Sequence, residues 1–187
     1  MKRITTAALA ALALAAAIPT TAKADDPVSP VKGAVCNLYL LEAVESDTKK
    51  SAEITAILAD MPAAATFVDS ASEFKAKQKK EGIMSNWGMW TGWLKQETAG
   101  TYTFTCSMLQ EYHRNTYSVW VNGQKCLANV PGQNSFNVNL SAGFNTIKIV
   151  VHNDYGPSSL SITYKKAGSV KDPFSFGPES MYYDDEE

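Results

Sequence analysis

The sequence predicts a mainly β protein: an antiparallel β-sandwich or barrel, with one or two short helices in its N-terminal third. Three observations point there. From Trp87 onward apolar and polar residues alternate with period two almost to the end of the domain. An Asn122-Gly123 pair separates two apolar runs, which is the strongest short-range hairpin signal because both central residues of a type I′ turn need positive φ. Turn residues then recur at short, regular intervals, as they do between the strands of sandwiches and barrels.

The N-terminus reads as a secretory signal. Lys2 and Arg3 precede an apolar run from Ala7 to Ile18, too short to span a bilayer, and Pro19 follows it. Small residues at Ala22 and Ala24 place the expected cleavage after Ala24. The predicted organisation is a signal peptide over 1–24, one β-domain over 25–166 and an acidic, disordered tail over 167–187. The mature chain would keep 163 residues, enough for a single core, and no later segment is long and apolar enough to be a membrane helix. Cleavage removes Lys2, Arg3 and Lys23 but no acid, leaving 14 basic against 19 acidic residues, a formal charge of −5. That balance argues against nucleic acid or an anionic membrane as partner.

Between Val28 and Gly82 the texture is mixed. Ala34–Leu41 reads as a strand, Ser51–Leu58 has helical spacing with Ser51 as cap, and Ala71–Lys80 reads as a second, polar helix. The charge run Lys75, Lys77, Lys79 and Lys80 is taken as a solvated face. Beyond Trp87, Tyr102-Phe104-Cys106, Phe136-Val138-Leu140 and Leu160-Ile162-Tyr164 each alternate with polar residues, the pattern of half-buried strands. Trp87, Trp90 and Trp93 cannot share one face, so Trp90 or Trp93 is expected in the core. Trp120, between Val119 and Val121, is expected on the outer face.

Three cysteines in an exported chain predict one bridge and one free thiol. If Val121 faces Gln124 across the turn, Val119 faces Cys126, so Cys126 points to the core with Cys106. A Cys106–Cys126 bridge is preferred, with Cys36, on the face of Leu38 and Leu40, as the competitor. No spacing matches a zinc site.

Beyond this periodicity, four pieces occur in one order: Trp90-Thr91-Gly92-Trp93-Leu94 with Ala99–Phe104, then Val119–Lys125, then Leu140–Ile149, then Leu160–Tyr164. Together they resemble the domain family named after the anthrax protective antigen, over residues 87–165. The resemblance implies a β-sandwich module of toxins, adhesins and sugar-processing enzymes that often binds carbohydrate through loops at one end. In sugar-binding adhesins of this type a pair of aspartates before the Asp-Gly strand holds calcium. This chain reads Leu109-Gln110-Glu111-Tyr112-His113-Arg114-Asn115-Thr116 instead, so no metal or cofactor, calcium included, is predicted.

In an up-and-down meander, loops 109–116, 131–134 and 153–158 meet at one end. They carry Glu111, Tyr112, His113, Arg114 and Asn115, then Asn134, then Asn153, Asp154 and Tyr155, together with His152. Amide, carboxylate and guanidinium groups beside an aromatic face suit the hydroxyl pairs and apolar side of a sugar. Turn chemistry alone also explains Asn153–Pro157. No nucleophile elbow, metal-ligand motif or phosphate loop is present, which argues against an enzyme. The expected function is therefore an exported, non-catalytic glycan-binding module of the periplasm, cell surface or medium. The alternative is a structural or interaction subunit of a surface or periplasmic assembly, meeting a protein partner through Trp120 or the acidic tail.

Overall fold

A computed structural model of the chain describes residues 25–40, 62–75, 86–109, 115–153 and 159–185. The signal peptide and the Ser51–Leu58 helix lie outside them. Twelve strands are present among the described residues: β1 (Pro30–Lys32), β2 (Ala34–Leu40), β3 (Ala65–Asp69), β4 (Asn86–Gln96), β5 (Gly100–Leu109), β6 (Thr116–Val121), β7 (Gln124–Val130), β8 (Gln133–Leu140), β9 (Gly143–Asn153), β10 (Ser159–Lys166), β11 (Phe174–Phe176) and β12 (Tyr182–Asp184). All strand pairs are antiparallel.

The strands form an eight-stranded sheet, ordered β1-β12-β4-β9-β6-β7 with β2 on β4 and β3 on β2, and a four-stranded sheet ordered β11-β10-β5-β8. The predicted alternation decides what lies between them. Tyr102, Phe104, Cys106, Val138, Leu140, Leu160 and Ile162 are buried from the small sheet, and Trp90, Leu94, Tyr117, Val119, Val121, Ile147, Ile149 and Val151 from the large one. At about 25 cal/mol per Å² of buried apolar area, this interior is the main stabilising term.

Trp90 is the core tryptophan, fully buried, with its Nε1–H donating to Asp69 Oδ2 at 2.8 Å. Asp69 also accepts from the Ala71 N–H at 3.0 Å, so the buried indole N–H and the turn after β3 are satisfied together. A Cβ on Gly88 would stand 2.4 Å from the Trp90 ring, so glycine is what lets the indole lie against its own strand. Across the small sheet Phe136, Phe104, Tyr164 and Phe174 form a ladder with successive centroid distances of 5.2, 5.3 and 5.8 Å.

Asn122 (φ 48°) and Gly123 (φ 73°) make the predicted positive-φ turn. Asn122 does more than turn the chain: its Oδ1 accepts from Thr146 N–H at 3.0 Å and its Nδ2 donates to Asn145 Oδ1 at 3.0 Å. Asn145, 1% exposed, also accepts from Ser141 N–H and donates to the Ser141 and Gly143 carbonyls. Two sequence-distant turns are thereby tied into one end of the sandwich.

Three expectations change. The hairpin begins as predicted, Val121 opposite Gln124 and Trp120 opposite Lys125, but Val119 faces Leu127, not Cys126. A β-bulge makes Cys126 the extra residue, half-buried at the margin of the core. No disulfide joins Cys36, Cys106 and Cys126 in the structure.

The described part of the expected Ala71–Lys80 helix is not helical. Phe74 bridges Leu160, exchanging backbone hydrogen bonds of 3.2 and 3.0 Å, and packs edge-on against Trp90 at 5.5 Å. Its burial outweighs the polar helical pattern around it.

The tail is not a disordered end either, since residues 167–185 are built into both sheets. β11 pairs with β10, a 3₁₀ turn spans Pro178–Ser180, and β12 pairs with β1 and β4. Phe176 and Met181 are fully buried, and the Asp184 carboxylate accepts from the Val28 and Ser29 N–H groups at 2.9 and 2.7 Å. Two apolar anchors and a paired carboxylate order a segment whose composition reads as polar.

Candidate functional site

Strand pairing fixes which loops meet. Leu109 faces Ser159, Thr116 faces His152, and Ser107 faces Gln133, so segments 110–115, 131–132 and 154–158 join the strands at one end. The Asn122-Gly123 and Ser141-Ala142 turns lie at the other.

Of the candidate residues at the first end, Glu111, Tyr112, His113, Arg114, Asp154 and Tyr155 lie outside the described residues. Asn153 ends β9, opposite Asn86. Asn115 is fully buried where β6 begins, with no surface to offer a ligand. Asn134 is half-buried, and its Nδ2 donates to Tyr117 Oη at 3.0 Å and to the Pro131 carbonyl at 2.8 Å. It fastens the crossover between sheets. Tyr117 Oη in turn points at the Cys106 and Gly132 carbonyls, and burial pushes its pKa up to about 12.

His152 is 5% exposed and lies flat on Trp87, centroids 3.8 Å apart and planes 9° apart. Among the described residues no three His, Cys, Asp or Glu side chains converge as a metal site would require. Burial raises the Cys106 thiol pKa to about 12, with the nearby Cys126 adding to the effect, so Cys106 is a poor nucleophile.

A second region was only partly legible. Trp120 faces outward as predicted, but so do Trp87, Met89 and Trp93 on β4 and Val150 on β9, leaving the outer face of the large sheet aromatic and apolar. Its upper part, around Tyr39, Trp87 and Val150, is buried. Its lower part is an open groove of about 460 Å³. Val35, Thr91, Lys148 and Trp120 stand side by side in register across four strands, and Trp93 and Thr146 form the next row.

The Lys148 ammonium sits 4.7 Å from the Trp120 ring centroid, and burial lowers its pKa. No carboxylate pairs with it among the described residues. The acid that lines the groove, Asp184, is bound to the Val28 and Ser29 N–H groups. Parity within Ile147-Lys148-Ile149 was the signal for Lys148, and Thr146 shares its face.

The same β-sandwich fold occurs in solved structures. The chain is similar to a PA14 sugar-binding domain from an RTX adhesin, with 20% identity and a TM-score of 0.59 over 78% of this chain and 96% of that one. It is also similar to the epithelial adhesin 6 A domain of Candida glabrata, solved in complex with Galβ1-3GlcNAc, with 16% identity and a TM-score of 0.58 over 88% and 96%. The PA14 domain of the antifreeze protein MpAFP superposes with a TM-score of 0.58 at 14% identity, over 87% and 96%. No protein-family model and no curated protein matches the chain.

Proposed function

We propose that this chain is an exported, non-catalytic carbohydrate-binding module acting at the cell surface, in the periplasm or in the medium. The observation that carries the reading is the fold shared, over nearly their whole length, with a sugar-binding adhesin domain and with an adhesin domain holding Galβ1-3GlcNAc. The end of the sandwich where segments 110–115 and 154–158 emerge is the site proposed for the glycan, with Glu111, Tyr112, His113, Arg114, Asp154 and Tyr155 as its contacts. Asn115 and Asn134 support that end from within it. Export rests on the charged, apolar and small-residue pattern of residues 1–24. In an oxidising compartment the proposed bridge is Cys106–Cys126, which would join the two sheets; peptide mapping without reductant tests it, and a Cys36-containing bridge would replace it.

A glycan array on the purified protein, with calcium and with chelator, tests the function. Selective binding that survives chelation and disappears in a Tyr112→Ala, Arg114→Ala variant is the expected result. Binding only with calcium would overturn the metal-free reading. No binding under either condition would favour the assembly subunit.

A further inference from the structure

We infer that the groove on the outer face of the large sheet is a second binding site, for a carboxylate-bearing sugar residue. The inference deepens the glycan reading and rests on it, but uses a different surface from the loop end. A water-facing sheet is normally polar outside, whereas this one presents Trp93 and Trp120 around a concavity of about 460 Å³, within the size range of small-molecule sites. Indole faces suit the apolar side of a pyranose ring.

Lys148 sets the charge of the ligand. Its ammonium is held over Trp120, half-buried, and no carboxylate of the described residues neutralises it. A partly desolvated cation gains from an anion that enters the groove. Asp184 lines the same groove with its two oxygens accepting from backbone N–H groups at 2.9 and 2.7 Å, and among the described residues it forms no ion pair with Lys148. Thr91 lies directly across from Lys148 and Thr146 two residues along β9, so two hydroxyls flank the cation at strand spacings of about 5–7 Å. A cation, two hydroxyls and an indole in adjoining rows match a uronic-acid ring: carboxylate on Lys148, ring hydroxyls on the threonines, apolar face on Trp93.

The test is a titration of the purified protein with tri-galacturonate, a neutral galacto-oligosaccharide of equal length, and acetate, followed by calorimetry and tryptophan fluorescence. Saturable binding of the tri-galacturonate, with at least tenfold weaker binding of the other two, is expected. Lys148→Met, which keeps the packed stem, should weaken it at least tenfold while the melting temperature stays within a few degrees. Trp93→Leu should do the same, and Tyr112→Ala, Arg114→Ala should leave it intact. Equal affinity for the neutral sugar, or none for the acid, overturns the inference. So does an unaffected Lys148→Met variant; if affinity is then lost in the Tyr112, Arg114 variant, the acidic sugar belongs to the loop end and only the first reading stands. Loss of array binding with Lys148-dependent acid binding retained would do the reverse.

Discussion

The two outer faces of the sandwich are built from opposite chemistries. On the small sheet Thr101 donates to Asn139 and Thr103 to Asn137, both at 2.8 Å, and Thr105 lies 3.1 Å from Ser135. Ser161 adds a bond to Glu73 at 3.2 Å. That face satisfies itself in pairs and is at ease in water. On the large sheet the corresponding positions carry Trp87, Met89, Trp93, Trp120 and Val150, with Lys148 over an indole. Part of that difference serves folding, because Tyr39, Trp87 and Val150 are buried in a cluster of their own, whereas Trp93 and Trp120 border an open groove. The groove is the part of this face where contact with another molecule would remove apolar surface from water.

Substitutions sharpen that contrast, beginning with the core that both faces enclose. Trp90→Ala removes a fully buried indole and strands Asp69, and should cost about 3–5 kcal/mol in urea unfolding. Asn145→Ala leaves the Ser141 N–H and the Asn122 amide without their partner, and should cost about 2–3 kcal/mol.

A comparable loss is expected without any substitution, on raising the pH in the presence of reductant. Tyr117 and Cys106 both have folded pKa values of about 12, above their ordinary 10.0 and 9.0. Their neutral forms are favoured by folding, so this stability is fully present below those ordinary values and is lost as the pH climbs toward 12. Urea midpoints should fall between pH 8.5 and about 11, and Tyr117→Phe should flatten the slope.

The faces themselves should respond unequally. Trp120→Thr removes the ring beneath Lys148 and should cost about 1 kcal/mol. Thr103→Ala, on the opposite face, should stay within about 0.5 kcal/mol. Equal costs would mean that the two faces do not differ in kind.

Where apolar and polar residues alternate, the sequence was enough to place the side chains. β5, β8 and β10 turn the residues that parity selects toward the core, with Phe136 and Tyr164 only partly buried, and the Asn122-Gly123 turn follows from its two residues. The large sheet was harder because both of its faces are apolar. Around Trp87, Trp90 and Trp93 the strand carries mostly apolar residues and glycine, with Thr91 sharing a face with Trp87 and Trp93, so polarity does not mark the outside, and the deciding contact, Asp69 with Trp90, is distant in sequence. The bulge at Cys126 shifts a register that turn geometry alone would continue, and the C-terminal strands depend on Phe176 and Met181 finding distant pockets. The loop end was legible as a meeting of loops. The groove was legible only in Trp120, since Lys148 and Thr91 acquire meaning from lying opposite one another across two strands far apart in sequence.

The most direct test of the contrast is a backbone amide NMR map of the protein titrated with tri-galacturonate. The account predicts shifts concentrated at Thr91, Trp93, Thr146 and Lys148, with Thr103, Asn137 and Thr163 unmoved. Shifts concentrated on those last three, or spread evenly over both sheets, would contradict it.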